Sequence, residues 1–167
     1  MREVAILLHN VRSAHNVGSI FRTAEAVGVT RIYLSGYTPT PLDRFGRPQK
    51  TIAKTALGAE KVLAWEYGRK PERMFERLRK EDFRIIGVEQ DARAKDYRTF
   101  SLKGPTLFVF GNEVRGLSSS LRQQCDELLE IPIRGAMVRQ AHHPRHTGRG
   151  KESLNVSVAA GIILFNN

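Results

Sequence analysis

Short apolar runs alternate with amphipathic stretches along this chain. Val4 to Leu8, Arg31 to Ser35, Lys61 to Trp65, Phe83 to Glu89, Thr106 to Phe110 and Leu128 to Ile133 are dominated by branched and aromatic side chains. Each has strand length and reads as a buried strand. Runs of this kind separated by helical patterns predict an α/β fold, a mainly parallel sheet with helices on both faces. The first helix has the clearest signature. Asn16 is placed to cap it, Val17, Ile20, Phe21, Ala24 and Val27 form one stripe, and Gly28 is placed to end it. Arg22 then points away from that stripe. Between Arg69 and Lys80, Met74, Phe75 and Leu78 interleave with Arg73, Arg77 and Arg79, the pattern of a solvated amphipathic helix.

The connection from Gly36 to Gln49 carries Pro39, Pro41, Arg44, Gly46, Arg47 and Pro48, and leads into Lys50 and Lys54 on a short helix. A connection this long between regular elements favours a functional role. Charge changes the picture more. Among 167 residues, 27 Lys and Arg stand against 17 Asp and Glu, a net charge of +10. That excess favours a polyanionic partner, and nucleic acid is the usual one. The length suits one domain. The single Cys125 has no partner for an internal disulfide and sits among Leu121, Leu128 and Leu129, so a small apolar core role and a cytoplasmic setting are expected. The apolar run that begins at Val4 stops at His9, too soon for a leader or a membrane span.

Three polar constellations fall where strands hand over to loops. Asn16-Val17-Gly18 with Arg22-Thr23 sets an amide, a backbone opening and a permanent cation at the first helix. Gly111-Asn112-Glu113-Val114-Arg115-Gly116-Leu117 follows an apolar strand, and Ile131-Pro132 with Ser153-Leu154-Asn155-Val156-Ser157-Val158-Ala159 leads into the last helix. In these motifs and their order, the chain resembles the SpoU/TrmH family of RNA 2′-O-methyltransferases, of the SPOUT superfamily, over essentially its whole length. The resemblance implies a C-terminal deep trefoil knot, an exception to the rule that chains avoid threading. It also implies S-adenosylmethionine bound in a bent form by the knotted loops, and a homodimer.

Carried over residue by residue, the resemblance implies Arg22, Asn16, Glu113, Ser153 and Asn155 as catalytic residues. Gly111, Asn112, Gly116, Leu117, Ile131 and Leu154 are the expected cofactor contacts, with Gly111 and Gly116 letting backbone approach the ligand. Methyl transfer needs an oxygen nucleophile held in line, with its proton drawn away. A guanidinium is always protonated, so Arg22 suits orientation and alkoxide stabilisation better than proton abstraction. A substrate phosphate, a water or Glu113 is left to take the proton. Arg44, Arg47, Lys50, Lys54 and Arg115 are candidates for RNA phosphate contacts, which set register without reading sequence. A 2′-hydroxyl acceptor excludes DNA as substrate. The expected activity is therefore methylation of a ribose in tRNA or rRNA.

Residues 135–149 read as an insertion. Arg134 and Gly150 flank the stretch, and its removal would join Ile131-Pro132-Ile133-Arg134 to Gly150-Lys151-Glu152-Ser153 as a compact strand, turn and helix start. The stretch adds three arginines and no acid, so the basic character does not depend on it. It interrupts the third motif, and the alternative function is accordingly a noncatalytic RNA-binding homodimer whose cofactor loop is disrupted. His142, His143 and His146 come without a carboxylate or Cys, and no metal site is expected. His9 and His15 flank the first motif, either touching RNA or ending the strand and leading into the helix.

Overall fold

The computed structural model describes residues 3–134 and 153–167. The stretch expected as an insertion, with its three histidines, lies outside the described residues. Seven strands form one sheet: β1 (Val4–His9), β2 (Arg31–Ser35), β3 (Ala64–Gly68), β4 (Arg84–Val88), β5 (Lys95–Asp96), β6 (Thr106–Phe110) and β7 (Glu127–Glu130). Their spatial order is β3-β2-β1-β6-β4-β7-β5, and every pairing is parallel. The central strands β1 and β6 are apolar on both sides because both faces of the sheet are covered.

Helices α1 (Ala14–Val27), α2 (Lys50–Ala56), α3 (Ala59–Val62) and α6 (Val156–Phe165) cover one face. Val17, Ile20, Phe21, Ile52, Ala56, Ala59, Ile163 and Leu164 pack there against Ile6, Leu8, Phe108 and Phe110. Helices α4 (Pro71–Arg79) and α5 (Ser119–Gln124) cover the other. There Phe75, Leu78 and Leu121 meet Leu7, Ile85, Leu107 and Val109. The alternation of β1 side chains between the two clusters is the period of two in a strand buried on both faces.

Three expectations shift. Ser13, not Asn16, caps α1: its hydroxyl accepts from the Asn16 N–H at 3.2 Å, which leaves the Asn16 side chain free for another task. Of the run Lys61 to Trp65 only Ala64 and Trp65 are strand. Leu57 (φ 52°) and Gly58 (φ 98°) reverse the chain into the single turn of α3, where Val62 stands 77% exposed, and the edge strand begins only at Ala64. Next to the other edge, β7 ends at Glu130 rather than Ile133, since Pro132 has no N–H to give a ladder. Ile131 and Ile133 are thereby released to line a cleft.

Candidate active site

The carboxyl ends of β4, β6 and β7 open onto a cleft of about 730 Å³. Ligand sites in open parallel sheets form at this edge. Its apolar wall is Ile131, Ile133, Leu154 and Val156, and its floor is the loop from Gly111 to Gly116. That loop closes on itself: the Gly116 N–H donates to the Asn112 carbonyl at 2.9 Å, and the Asn112 side-chain oxygen accepts from the Val114 and Arg115 N–H groups at 2.9 and 2.8 Å. Glu89, a residue the sequence reading passed over, holds it from below. Its carboxylate accepts from the Leu117 N–H at 2.7 Å.

The two glycines serve this closure. A Cβ on Gly111 would lie 2.6 Å from the Gly116 carbonyl carbon and 2.7 Å from the Leu117 nitrogen, so the loop packs against its own start. Gly116 has φ +64°, and a side chain there would strike the Glu89 carboxylate. On the side where a Cβ would stand, the space at each glycine is filled by the loop or by Glu89, while the backbone of both still lines the cleft. Gly18 likewise is no opening: it is buried against α2, where a Cβ would meet Thr55 Oγ1 and the Ile52 carbonyl oxygen.

Polar residues from three distant segments meet beside the loop. Glu113 Oε1 accepts from the Ser13 N–H at 3.1 Å and the Asn16 amide at 3.3 Å, and Oε2 accepts from the Arg12 N–H at 3.0 Å. The amide of Asn155 donates to Asn16 Oδ1 at 3.1 Å, while its oxygen caps α6 through the Ser157 N–H at 2.8 Å. The Ser153 hydroxyl donates to the Glu113 carbonyl at 3.4 Å. A relay of Asn155, Asn16 and Glu113 therefore ties the starts of α6 and α1 to the cleft loop. Burial pushes the Glu113 carboxyl up, but the N–H groups of Arg12, Ser13 and its own residue, with the Asn16 amide, outweigh it and hold the carboxyl below its ordinary value. Its acceptor capacity is spent on anchoring, which makes it a weak base.

Of the expected cofactor contacts, Gly111, Asn112, Gly116, Ile131 and Leu154 line the cleft. Leu117 does not; it is 2% exposed and packs in the core under α5. Glu113, Ser153 and Arg115 line the cleft too, with Asn16 and Asn155 one hydrogen bond behind. Arg22 stands apart from them. It is exposed on α1, and about 9 Å of helix rise separates it from Asn16.

The remaining basic candidates lie beyond β2. Arg47 pairs with Asp43 at 2.8 Å, and the guanidiniums of Arg44 and Arg47 lie 4.7 and 5.0 Å from the centre of the Phe45 ring. Lys50 and Lys54 are exposed on α2. His9 closes β1, with Nδ1 2.7 Å from the Ser35 hydroxyl, and burial lowers its pKa against the smaller opposing pull of Glu72. His15 is exposed on α1. Among the described residues, no group of three or more His, Cys, Asp or Glu is placed to hold a metal ion, and no helix is long and apolar enough to cross a membrane.

Known proteins resemble this chain in sequence and fold. The 23S rRNA (guanosine-2′-O-)-methyltransferase RlmB of Pseudomonas aeruginosa is 31% identical over 160 residues, 96% of this chain and 56% of that protein. Its counterpart in Xylella fastidiosa is 34% identical over the same shares. This chain thus spans little more than half the length of these curated relatives. Among solved structures, an AdoMet-bound rRNA methyltransferase from Sinorhizobium meliloti superposes with a TM-score of 0.79 at 26% identity, covering 99% of this chain and 56% of that one. The A. aeolicus TrmH/SpoU tRNA modifying enzyme gives 0.78 at 25%, covering 99% and 74%. Residues 3–138 match the model of the SpoU rRNA Methylase family, and the chain belongs to that family.

Proposed function

We propose that this protein transfers a methyl group from S-adenosylmethionine to a ribose 2′-hydroxyl of RNA. The observation that carries the reading is the cleft itself, where Gly111, Ile131 and Leu154 come together beside the Asn155, Asn16 and Glu113 relay. Ribosomal RNA is the favoured substrate class, since RlmB proteins are matched over 96% of the chain; tRNA is the alternative raised by the A. aeolicus structure. The cleft suits the cofactor: aliphatic side chains on one side fit an adenine, and backbone and polar groups of the 111–116 loop face them. Bound there, S-adenosylmethionine supplies an electrophilic methyl carbon.

The residues of the chain then have separable tasks. Ile131 and Leu154 hold the cofactor, with Gly111, Asn112 and Gly116 shaping the loop on which it rests. Asn16, fixed through both its amide nitrogen and its oxygen, and Ser153 orient the acceptor ribose. Arg22 stabilises the developing alkoxide, as a fixed cation aimed at new negative charge should. Glu113 keeps the site assembled and does not take the proton, which leaves to a substrate phosphate or to water. Arg115 at the cleft, with Arg44, Arg47, Lys50 and Lys54 beyond it, grips phosphates.

Among the described residues Arg22 is exposed and makes no hydrogen bond or ion pair with a cleft residue, and the reading therefore assigns it to the partner's cleft in a homodimer. The exposed apolar groups on the face bearing α1 favour this assembly: Phe165 is 69% and Val158 49% exposed on a helix with almost no polar side chain. The same reading includes a single SpoU-type domain over 1–167 with an insertion at about 135–149, a trefoil knot through which α6 returns to lie against α1, and a cytoplasmic setting. Titration calorimetry with S-adenosylmethionine tests it first, and methyl-tritium transfer to ribosomal RNA from cells lacking the protein tests it second. Well-folded protein that binds no cofactor would overturn it.

A further inference from the structure

Tyr37 lies outside every role assigned so far, yet it is held with unusual care. It occupies the turn that leaves β2, where the Thr38 N–H returns to the Ser35 carbonyl at 3.3 Å. Its ring is 56% exposed. Both ends of the residue are nevertheless fixed: the backbone N–H donates to Asn10 Oδ1 at 3.1 Å, and the hydroxyl accepts from the Asn112 amide at 3.0 Å. That amide also donates to the Asn10 carbonyl at 3.1 Å, so three segments converge on one ring.

The backbone is bent to make this possible. Asn10 has φ +58° and Gly36 φ +65°, and a Cβ on Gly36 would collide with the Asn10 side chain. A left-handed asparagine is uncommon and carries some strain. Tyr67 braces the turn, donating its hydroxyl to the Gly36 carbonyl at 2.7 Å. An aromatic side chain with no role is left free or buried. This one is anchored at its hydroxyl and its N–H while the residue stays 56% exposed.

Asn112 lines the cleft, so the Tyr37 hydroxyl is one hydrogen bond from a cleft-lining residue. Phe45 is more exposed, at 67%, but the guanidiniums of Arg44 and Arg47 already lie against it. We propose that Tyr37 is a stacking platform for a nucleobase of the RNA, holding the acceptor nucleotide or its neighbour at the entrance of the cleft. An unpaired base is the occupant that fits an anchored, exposed aromatic ring on a chain of net charge +10. The inference rests on the methyl-transfer reading for the place of the acceptor, but stacking can be measured alone.

The test compares a single-stranded 12-nucleotide oligoadenylate with an abasic ribose-phosphate oligomer of equal length, by fluorescence anisotropy. Tyr37→Leu should weaken oligoadenylate binding by about tenfold, as the loss of one stacked base does, and leave the abasic oligomer unaffected. Tyr37→Phe and Tyr37→Trp, which keep a ring, should retain most of the wild-type preference for bases. Equal losses on both oligomers, or no loss on either, overturn the proposal. Calorimetry with S-adenosylmethionine runs alongside: failure of the wild type to bind cofactor would remove the methyl-transfer reading and leave the oligomer comparison to decide stacking.

Discussion

Glu113 carries more of the site's order than a loop carboxylate usually does, because one group accepts from two backbone N–H donors and from the amide of Asn16. Replacing it by Gln turns one acceptor into a donor facing a donor. The Glu113→Gln variant should lose about 1–2 kcal/mol of stability at pH 7. Because the folded carboxyl lies below its ordinary value of 4.5, the wild-type advantage is full above that pH and disappears as pH falls through the lowered folded value. Urea midpoints of the two proteins should therefore differ at pH 7 and converge as the pH is lowered through the depressed folded value; a gap independent of pH would show that the charge is irrelevant. Cys125 makes a second residue-scale prediction. Burial, helped by the Asp126 carboxylate, pushes its thiol up to about 12, and Sγ already donates to the Leu121 carbonyl at 3.3 Å. Ellman's reagent at pH ~8 should react with it only on unfolding, since the attacking species is the thiolate. Rapid reaction of the native protein would mean that α5 opens readily.

At the scale of elements, close approach of helices and loops is what the glycines report. Gly18→Ala would place a Cβ 1.9 Å from Thr55 Oγ1 and 2.6 Å from the Ile52 carbonyl oxygen, so α2 must shift away from α1. The expected loss is about 1–3 kcal/mol in thermal or urea unfolding. Stability equal to wild type would mean that α2 seats differently. Gly111→Ala acts on the loop instead: it should leave far-UV circular dichroism unchanged while calorimetry shows S-adenosylmethionine binding lost. Strands β1, β2, β4 and β6 were legible in the sequence because burial on both faces leaves an uninterrupted apolar run. The edges were not. Around β3 a half-exposed strand has no such run, and Leu57, Gly58 and the exposed Val62 moved the apolar signal into a helical turn. The α1 cap was misplaced by three residues for a related reason: Ser13 and Asn16 are both good caps, and only the fold shows that Asn16 is engaged elsewhere. Asn16 meets Glu113 across 97 residues and Asn155 across 139. No local pattern encodes such pairings, so the site was readable through motif resemblance alone, and Glu89 and Tyr37, outside the motifs, were missed.

For the whole molecule the decisive question is which cleft Arg22 serves. Within one subunit the cleft is lined by Gly111, Ile131 and Leu154 with the anchored Asn16 one hydrogen bond behind, whereas Arg22 is an exposed residue of α1 outside that lining. A two-fold assembly through the apolar groups of α6 would supply each cleft with the partner's Arg22, and the arrangement makes a specific demand on mixed dimers. The Arg22→Ala variant keeps its cleft and loses the cation it would lend; Leu154→Glu keeps the cation and loses its own cleft. Each homodimer should be inactive. Co-refolded together, half of the dimers contain one of each, and in these one cleft is complete: that of the Arg22→Ala subunit, served by the other subunit's Arg22. Methyl transfer to ribosomal RNA should then return to about a quarter of the wild-type rate, since one of two sites works in half of the dimers. A mixture as dead as its parents would place Arg22 in its own subunit's chemistry, or in none. Adding charge to the interface with Phe165→Glu should abolish the recovery and shift the protein to monomer in analytical ultracentrifugation, because the same contact that buries α6 is the one that delivers the cation.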